Sequence, residues 1–499
     1  ATICRSQSRL FAEIMHSEHE MLTDSDRLKP RVLPIHASRE NLLFLLLYSF
    51  WYDGLMWIDL SILIAFMIYS MAVGWFTRIK ASRNLEEYFL AGRSIKGWQG
   101  GMSMAATQYA ADTPLLVTGL VATAGVFSLW RLWTYAFAFL LMGFVLGPCW
   151  RRAHILTDAE FTELRYHGRV AGLLRALKAV HLGTVINCTV LAMVLLAASR
   201  IAEPFLLWHE WLPSSLINAV SRFMEGLHFS ITTLPQEHPE YWIRSASNLI
   251  SILLIVLFTT FYSTTGGLRS VVATDVAQLT IMLISTACFA FVIIQKIGGL
   301  NAIEPRLISL YGAGSTEKVL SFGPTDWNQT TQIFLTVIAV QWFAQVNADG
   351  TGYLAQRTMA CRSDHDARTA AIVFTFTQIV LRSLLWIPIV IGLLILYPAD
   401  ALHFSGEASE NFRMIRENTF ATGIRDFLPV GARGLMLTGM LAAIASTVDT
   451  HLNWGSSYWA NDLYKRFLVE KFWKRKAGEK ELVWVARFSN IGILTIALV

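Results

Sequence analysis

Charge is what this chain has least of. Lys, Arg, Asp and Glu make up 15% of its 499 residues, where a soluble globular chain carries about a quarter. With 54% hydrophobic residues, 17 tryptophans and a mean hydropathy of +0.45, the balance is that of a membrane protein. Paired cysteine is missing too. Cys4, Cys149, Cys188, Cys288 and Cys361 are scattered without a CxxC pair, and three lie in or beside apolar runs. Neither a disulfide framework nor a metal-thiolate site is expected. No GxSxG, P-loop or HExxH motif occurs, and the histidines are not clustered at ligand spacing, so no enzyme class is indicated. His154, His167, His181 and His451 read as structural. The formal net charge of +5 does not signal nucleic acid, because the cations are parcelled into particular loops. There is no short-period repeat, low-complexity tract or second soluble domain.

Long apolar windows fill the space left by charge. Ten are long enough to span a bilayer: Trp57–Phe76, Gln99–Gly125, Val126–Trp150, Leu173–Ile201, Ser245–Thr264, Leu268–Ile297, Gln329–Asn347, Ala367–Leu396, Gly431–Tyr464 and Leu482–Val499. The expectation is an all-α polytopic membrane protein. Residues 1–56 form a separate extension, polar and then briefly apolar at Leu42–Trp51. That run is shorter than the roughly 20 residues a span requires, so it reads as interfacial. The extension also lacks the charged start and small-residue cleavage site of a signal peptide. The chain begins at Ala1 and stops at Val499 inside an apolar run, so the core, 57–499, is expected to have an incomplete last span and a truncated C-terminal end.

Loop charge orients the spans. Basic residues follow the first span (Arg78, Lys80, Arg83, Arg93, Lys96), the third (Arg151, Arg152, Arg165, Arg169, Arg175, Lys178) and the fifth (Arg269). They follow the seventh (Arg357, Arg362, Arg368) and the ninth (Lys465 to Lys480) as well. Loops on the other side, Glu203–Trp242, Gly298–Asn328 and Tyr397–Pro429, are poor in cations or charge-balanced. The alternation places the basic loops in the cytoplasm of an inner or plasma membrane and the N-terminus outside. Glu210–His228 and Ser409–Phe427 have helical spacing and predict short surface helices. In Thr157–Tyr166 a Thr stands three residues before Glu160, a capping-box pattern.

Chemistry concentrates in Gly439–Tyr464, where Ser446, Thr447, Asp449, Thr450 and His451 interrupt an apolar helix. Ala442, Ala443 and Ala445 leave carbonyls open beside adjacent hydroxyls, an oxygen set suited to a hard cation such as sodium. A carboxylate at membrane depth costs roughly 2.5–3.5 kcal/mol on insertion scales, so Asp449 requires a partner or a water-filled path. A small-residue packing face with hydroxyls bonded back to the helix would show the same pattern. The second span carries Asp112, Pro114 and Gly119. Proline removes a donor and frees the carbonyl of Ala110, so the helix is expected to kink or break. The seventh span offers a matching interruption at Asn347–Gly352. Paired interrupted helices are the mark of inverted-repeat carriers.

Six motifs in order then carry a resemblance: EEYFLAGRSIKGW (Glu86–Trp98), the broken second span, DAEFTELRYHG (Asp158–Gly168), YSTTGGLRSVVATDVAQ (Tyr262–Gln278), GYLAQRTMACRS (Gly352–Ser363), and MLAAIASTVDTHLN followed by SSYWANDLY. From about Trp57 to the end the chain resembles the sodium:solute symporters, which include the sodium/galactose, sodium/proline and sodium/sialic acid carriers. The resemblance implies a LeuT-type core of two inverted five-helix repeats with one extra helix before it. It implies solute uptake driven by inward sodium flow through alternating access, with sodium as coupling ion and no organic cofactor.

Carried over by position, the resemblance implies a sodium site from backbone oxygens of Ala106, Tyr109 and Ala443 and the hydroxyls of Ser446 and Thr447. A second cation site would use Asp275, Ser446, Asp449 and Thr450. Asp449 replaces a hydroxyl there, so two carboxylates share the site, and one or two cations remain equal readings. The substrate, a sugar, amino acid or carboxylate, is expected near Gln108, Asp112, Thr113, Arg131, Trp342 and Gln345. Asp112 and Arg131 would suit a zwitterion, or would pair with each other. Arg382, midway along the eighth span, finds no assignment. The partners implied are a small solute and the lipid bilayer, with no nucleic acid; oligomeric state is open. Two other readings stand beside this one, a proton-coupled carrier and the transporter-like sensor of a membrane histidine kinase.

Overall fold

The computed structural model describes residues 39–110, 113–203, 206–232, 234, 236–344, 352–399 and 410–498. The chain divides into two compact units, Ala1–Gly54 and Leu55–Val499; the described part of the first is helical from Arg39, and the second holds everything that follows. Among the described residues the regular elements of the second unit are all helices, apart from one isolated bridge between Ile95 and Cys361.

Among the described residues seven helices are long and apolar enough to cross a membrane, against ten windows in the sequence. They are α1 (Trp57–Ala81), α4 (Val126–Arg152), α5 (Arg169–Ser199), α6 (Tyr241–Lys296), α9 (Asp364–Leu396), α10 (Ala432–Phe472) and α11 (Glu479–Leu498). The difference has two causes. The second window is divided into α2 (Gly97–Gln108) and α3 (Thr113–Ala124), and of the seventh only α7 (Gln329–Ala344) is described, with α8 (Gly352–Met359) lying beyond it. The fifth and sixth windows fuse into α6, whose two limbs meet at Gly267 with φ +59° and ψ −162°. That conformation is essentially restricted to glycine. A Cβ there would lie 2.6 Å from the carbonyl oxygen of Tyr88, so the corner also packs backbone to backbone. The surface helices expected from periodicity form at Ser214–Gly226 and Glu410–Phe427.

Small residues decide how close the helices come. In α2, Gly97 and Gly101 face α9 so tightly that a Cβ would sit 2.6 Å from the Asp366 carbonyl and 2.5 Å from that of Ala370. Close backbone approach of this kind drives helix association where lipid removes the hydrophobic incentive. Lys96 offers α2 no cap, and Asp366 of α9 supplies one, accepting from the Gly97 N–H at 2.8 Å. Asp59 of α1 does the same for α10, accepting from the N–H groups of Gly431 (2.7 Å) and Gly434 (2.9 Å) and pairing with Arg433 at 2.8 Å. A carboxylate at a helix N-terminus meets orphan donors and the positive dipole end together. The most enclosed span is α10, with 89% of its apolar window buried against 17% for α1.

The charged motif residues interlock. Glu86 pairs with Arg93 (2.7 Å) and Glu87 with Arg269 (3.1 Å). Arg93 also donates to the carbonyls of Met359 and Ile155. Arg175 bridges Glu163 (2.8 Å) and Asp462 (2.6 Å), and Arg466 joins Glu163 at 2.8 Å. Partial burial pushes the Glu163 carboxyl up, but the bonds from Arg466 and Arg175 prevail and hold it below the usual range. The capping-box expectation is not met at the helix itself, Phe161–Arg165, which carries no side-chain cap; in the turn before it Thr157 accepts from the Glu160 N–H at 3.3 Å and the Glu160 carboxylate accepts from the Leu156 N–H. The Thr157 hydroxyl is already engaged with Asp462 at 2.7 Å.

Candidate cation and solute site

A polar cluster lies where α2, α6, α8 and α10 meet. From α10 come Ser446, Thr447, Asp449 and Thr450, all buried. Ser446 donates to Asp275 of α6 at 2.6 Å, and Ser103 of α2 donates to the other oxygen of that carboxylate at 2.5 Å. Thr447 donates to the Ala443 carbonyl one turn back (3.1 Å) and to the Thr107 carbonyl (3.3 Å), tying α10 to the last turn of α2. Ala106 and Tyr109 lie at that end of α2, and the Tyr109 N–H donates to the Ala106 carbonyl at 3.2 Å. The positions the sequence assigned to the first sodium are thus two facing helix segments rich in carbonyl and hydroxyl oxygen.

The second set is joined to the first through Asp275. Asp449 accepts from the Tyr262 hydroxyl at 2.6 Å, and Thr450 meets Thr107 at 3.0 Å. Arg357 of α8, wholly buried, donates to the Thr450 hydroxyl at 2.5 Å, and the same nitrogen lies 3.9 Å from Asp275. The cluster therefore holds two carboxylates and one guanidinium among the described residues. With both acids ionised it carries one excess negative charge in a dry setting, where an uncompensated charge costs several kcal/mol.

Sequence reasoning missed Ser103, Thr107, Tyr262 and Arg357 as members of this cluster. All four lie in or beside the motifs, and Ser103 and Thr107 show the i, i+4 spacing of one helix face. Nothing local in the sequence marked them as facing Asp275 and Thr450.

Where the end of α2 meets the start of α8, the Gln108 side chain bonds to the hydroxyl of Tyr353. Tyr353 packs against the rings of His451 (5.6 Å) and Trp454 (6.1 Å). The His451 ring is bonded to Asn187 at 2.7 Å, in keeping with a structural histidine. On the other side, the Gln108 carbonyl accepts from Gln378 (3.1 Å) and Arg382 (3.2 Å) of α9. The Tyr109 hydroxyl meets Thr286 (2.9 Å) and accepts from Trp386 (3.1 Å). Thr113 opens α3, its N–H donating to the Ala110 carbonyl at 3.0 Å across the break. Arg131 is exposed on the short helix Trp130–Trp133, and no contact brings it to this group. Asp112, Gln345 and the side chain of Trp342 lie outside the described residues.

Comparison with known proteins agrees with this architecture. A sequence profile of the Sodium:solute symporter family matches residues 88–209 and 245–499. A sodium/glucose cotransporter of Vibrio parahaemolyticus is 24% identical over 452 residues, covering 89% of this chain and 74% of that protein. Sodium/glucose cotransporter 1 of Ovis aries is 22% identical, covering 88% of this chain and 62% of its own length. Solute carrier family 5 member 4B of Mus musculus is 20% identical with 88% and 62% covered. The chain thus spans about three fifths of the mammalian relatives. The substrate-bound, outward-open structure of a Na+-coupled sialic acid symporter superposes with a TM-score of 0.64 at 17% identity, covering 88% of this chain and 80% of that one. At that identity the likeness establishes the fold, and the expected LeuT-type, all-α architecture is the one found.

Proposed function

From the premise that the chain belongs to the sodium:solute symporter family, we propose that it couples the entry of sodium to uptake of a small organic solute. It is a multi-pass membrane protein whose matched relatives are cotransporters rather than enzymes. The observation that carries the coupling is the cluster of Asp275, Asp449, Arg357 and the hydroxyls around them. One monovalent cation neutralises its excess charge, and the neighbouring oxygens of Ala106, Tyr109, Ala443, Ser446 and Thr447 supply hard ligands without adding charge. Solute lies at the meeting of the two breaks, beside Gln108, Thr113 and Tyr353, with Asp112, Trp342 and Gln345 the further candidates and Arg131 set apart from them.

Alternating access follows from this placement. Cation binding draws α10 onto α2, and α2 carries one wall of the solute site, so each ligand favours the arrangement that the other binds. The basic loops face the cytoplasm and the N-terminus lies outside, by the charge alternation of the sequence.

The excess charge would equally be met by a proton, because either carboxylate can take one. Thermal unfolding of the full-length protein in sodium and in potassium, over a range of pH, separates the two. Stabilisation by sodium but not potassium at fixed pH supports sodium coupling, since a ligand stabilises the state that binds it. Stability that follows pH and ignores sodium sinks it in favour of a proton-coupled carrier.

A further inference from the structure

Among the described residues, Arg382 is a buried charge in a membrane-spanning helix that the coupling scheme leaves without a task. Its side chain is 5% exposed. No carboxylate pairs with it among the described residues, whereas Arg357 has Asp275 and Arg175 has Asp462. One of its N–H groups donates to the Gln108 carbonyl at 3.2 Å. Its guanidinium lies 4.4 Å from the ring of Trp386 and 5.7 Å from that of Tyr109. A wide π-type turn at Phe376–Leu381 precedes it, and such turns within a helix recur at functional sites.

Capping the end of α2 does not account for this side chain. Gln378, one turn earlier, already donates to the same carbonyl at 3.1 Å. A neutral amide thus meets the acceptor, whereas a guanidinium adds a burial cost of several kcal/mol when nothing opposes its charge. Gln378 shows a second unmet need. Its side-chain oxygen is buried without a hydrogen-bond partner, although its nitrogen is fixed by the bond to Gln108. Among the described residues, a cation without an anion and an acceptor without a donor therefore sit one turn apart, beside the end of α2.

We infer that Arg382 and Gln378 form the recognition site for an anionic solute, a hydroxy acid or sugar acid, within the solute site proposed above. The carboxylate of the solute takes the free N–H groups of Arg382, a planar donor array that matches a carboxylate in two-point fashion. A hydroxyl of the same solute donates to the Gln378 oxygen. The rings of Tyr109 and Trp386 fix the guanidinium plane, so little ordering is left for the moment of binding. The inference rests on the carrier reading, because it needs the α2 break to be where solute binds.

The test uses matched probes that differ in the acid group: lactate and lactamide, gluconate and glucitol, glucuronate and glucose. Each is added to the full-length protein in sodium and in potassium, and thermal stabilisation is titrated. At least one acid is expected to stabilise the protein in sodium while its neutral partner does not. Arg382→Gln should weaken that acid by about 10- to 100-fold, the size of a charge-assisted interaction, and Arg382→Lys should recover part of the loss. The sodium shift of each variant without solute checks that it is folded. Three results overturn the inference: neutral partners that bind as well as the acids, sodium stabilisation with no effect of any acid, or an acid that binds Arg382→Gln unchanged. Absence of any sodium shift in the unaltered protein would defeat the coupling proposal itself, and this one with it.

Discussion

Replacing both Ser446 and Thr447 by alanine tests the cation site most directly. Ser446 donates to Asp275 at 2.6 Å, a bond to a buried charged group. Hydrogen bonds of that class contribute about 1.5–3 kcal/mol, and 1.4 kcal/mol is a factor of ten in affinity. Thr447 bonds the Ala443 and Thr107 carbonyls, so its loss loosens the junction between α10 and α2 as well as removing a ligand. The double variant should therefore need about 10- to 100-fold more sodium for half-maximal effect. In stability, a protein held at 100 times its dissociation constant gains about 2.7 kcal/mol from its ligand. A 100-fold weaker site under the same conditions gains only about 0.4 kcal/mol by the same relation. The assay is sodium-dependent uptake in vesicles beside sodium titration of thermal unfolding. Thr447→Ser, which keeps the hydroxyl, should stay within a few-fold of the unaltered protein. A well-expressed double variant with unchanged sodium dependence in both assays would refute the assignment.

Asp275→Asn removes one of the two carboxylates beside Arg357. With Asp275 and Asp449 jointly holding a second cation, the sodium Hill coefficient of uptake falls towards one; an unchanged coefficient leaves the two as a structural polar pair. Gly267→Ala places a Cβ 2.6 Å from the Tyr88 carbonyl in a backbone region closed to alanine, and a loss of at least about 1–3 kcal/mol is expected. An unaltered melting temperature would show that the α6 corner does not need glycine. Arg175→Gln strands the buried Asp462, and breaking a buried pair from one side costs about 3–5 kcal/mol. Adding Asp462→Asn should recover part of that loss, and a double variant no more stable than the single would argue that the pair is not coupled.

The sequence yielded those features that are signalled within a few residues of themselves. The break in α2 was marked by Pro114 and the small residues before it, and the hydroxyls of α10 announced themselves as polar residues in an apolar run. The boundary inside α6 was legible as two hydropathy windows although the helix is nearly continuous, because Arg269 stands just past the Gly267 corner. What stayed hidden were pairings over long sequence distance. Arg357 is in a quoted motif, yet its contact with Thr450 joins residues far apart in the chain, and no local pattern says which face of α8 points inward. The same holds for Tyr262 and Asp449 across α6 and α10. Arg382 shows the limit most sharply. Helical periodicity with a strict 3.6-residue turn cannot say which way it faces, since the π-type turn at Phe376–Leu381 shifts the register just ahead of it. Only the fold brings Arg382 and Gln378 onto the end of α2. There a charge with no ion-pair partner among the described residues becomes a reason to expect a ligand of opposite charge.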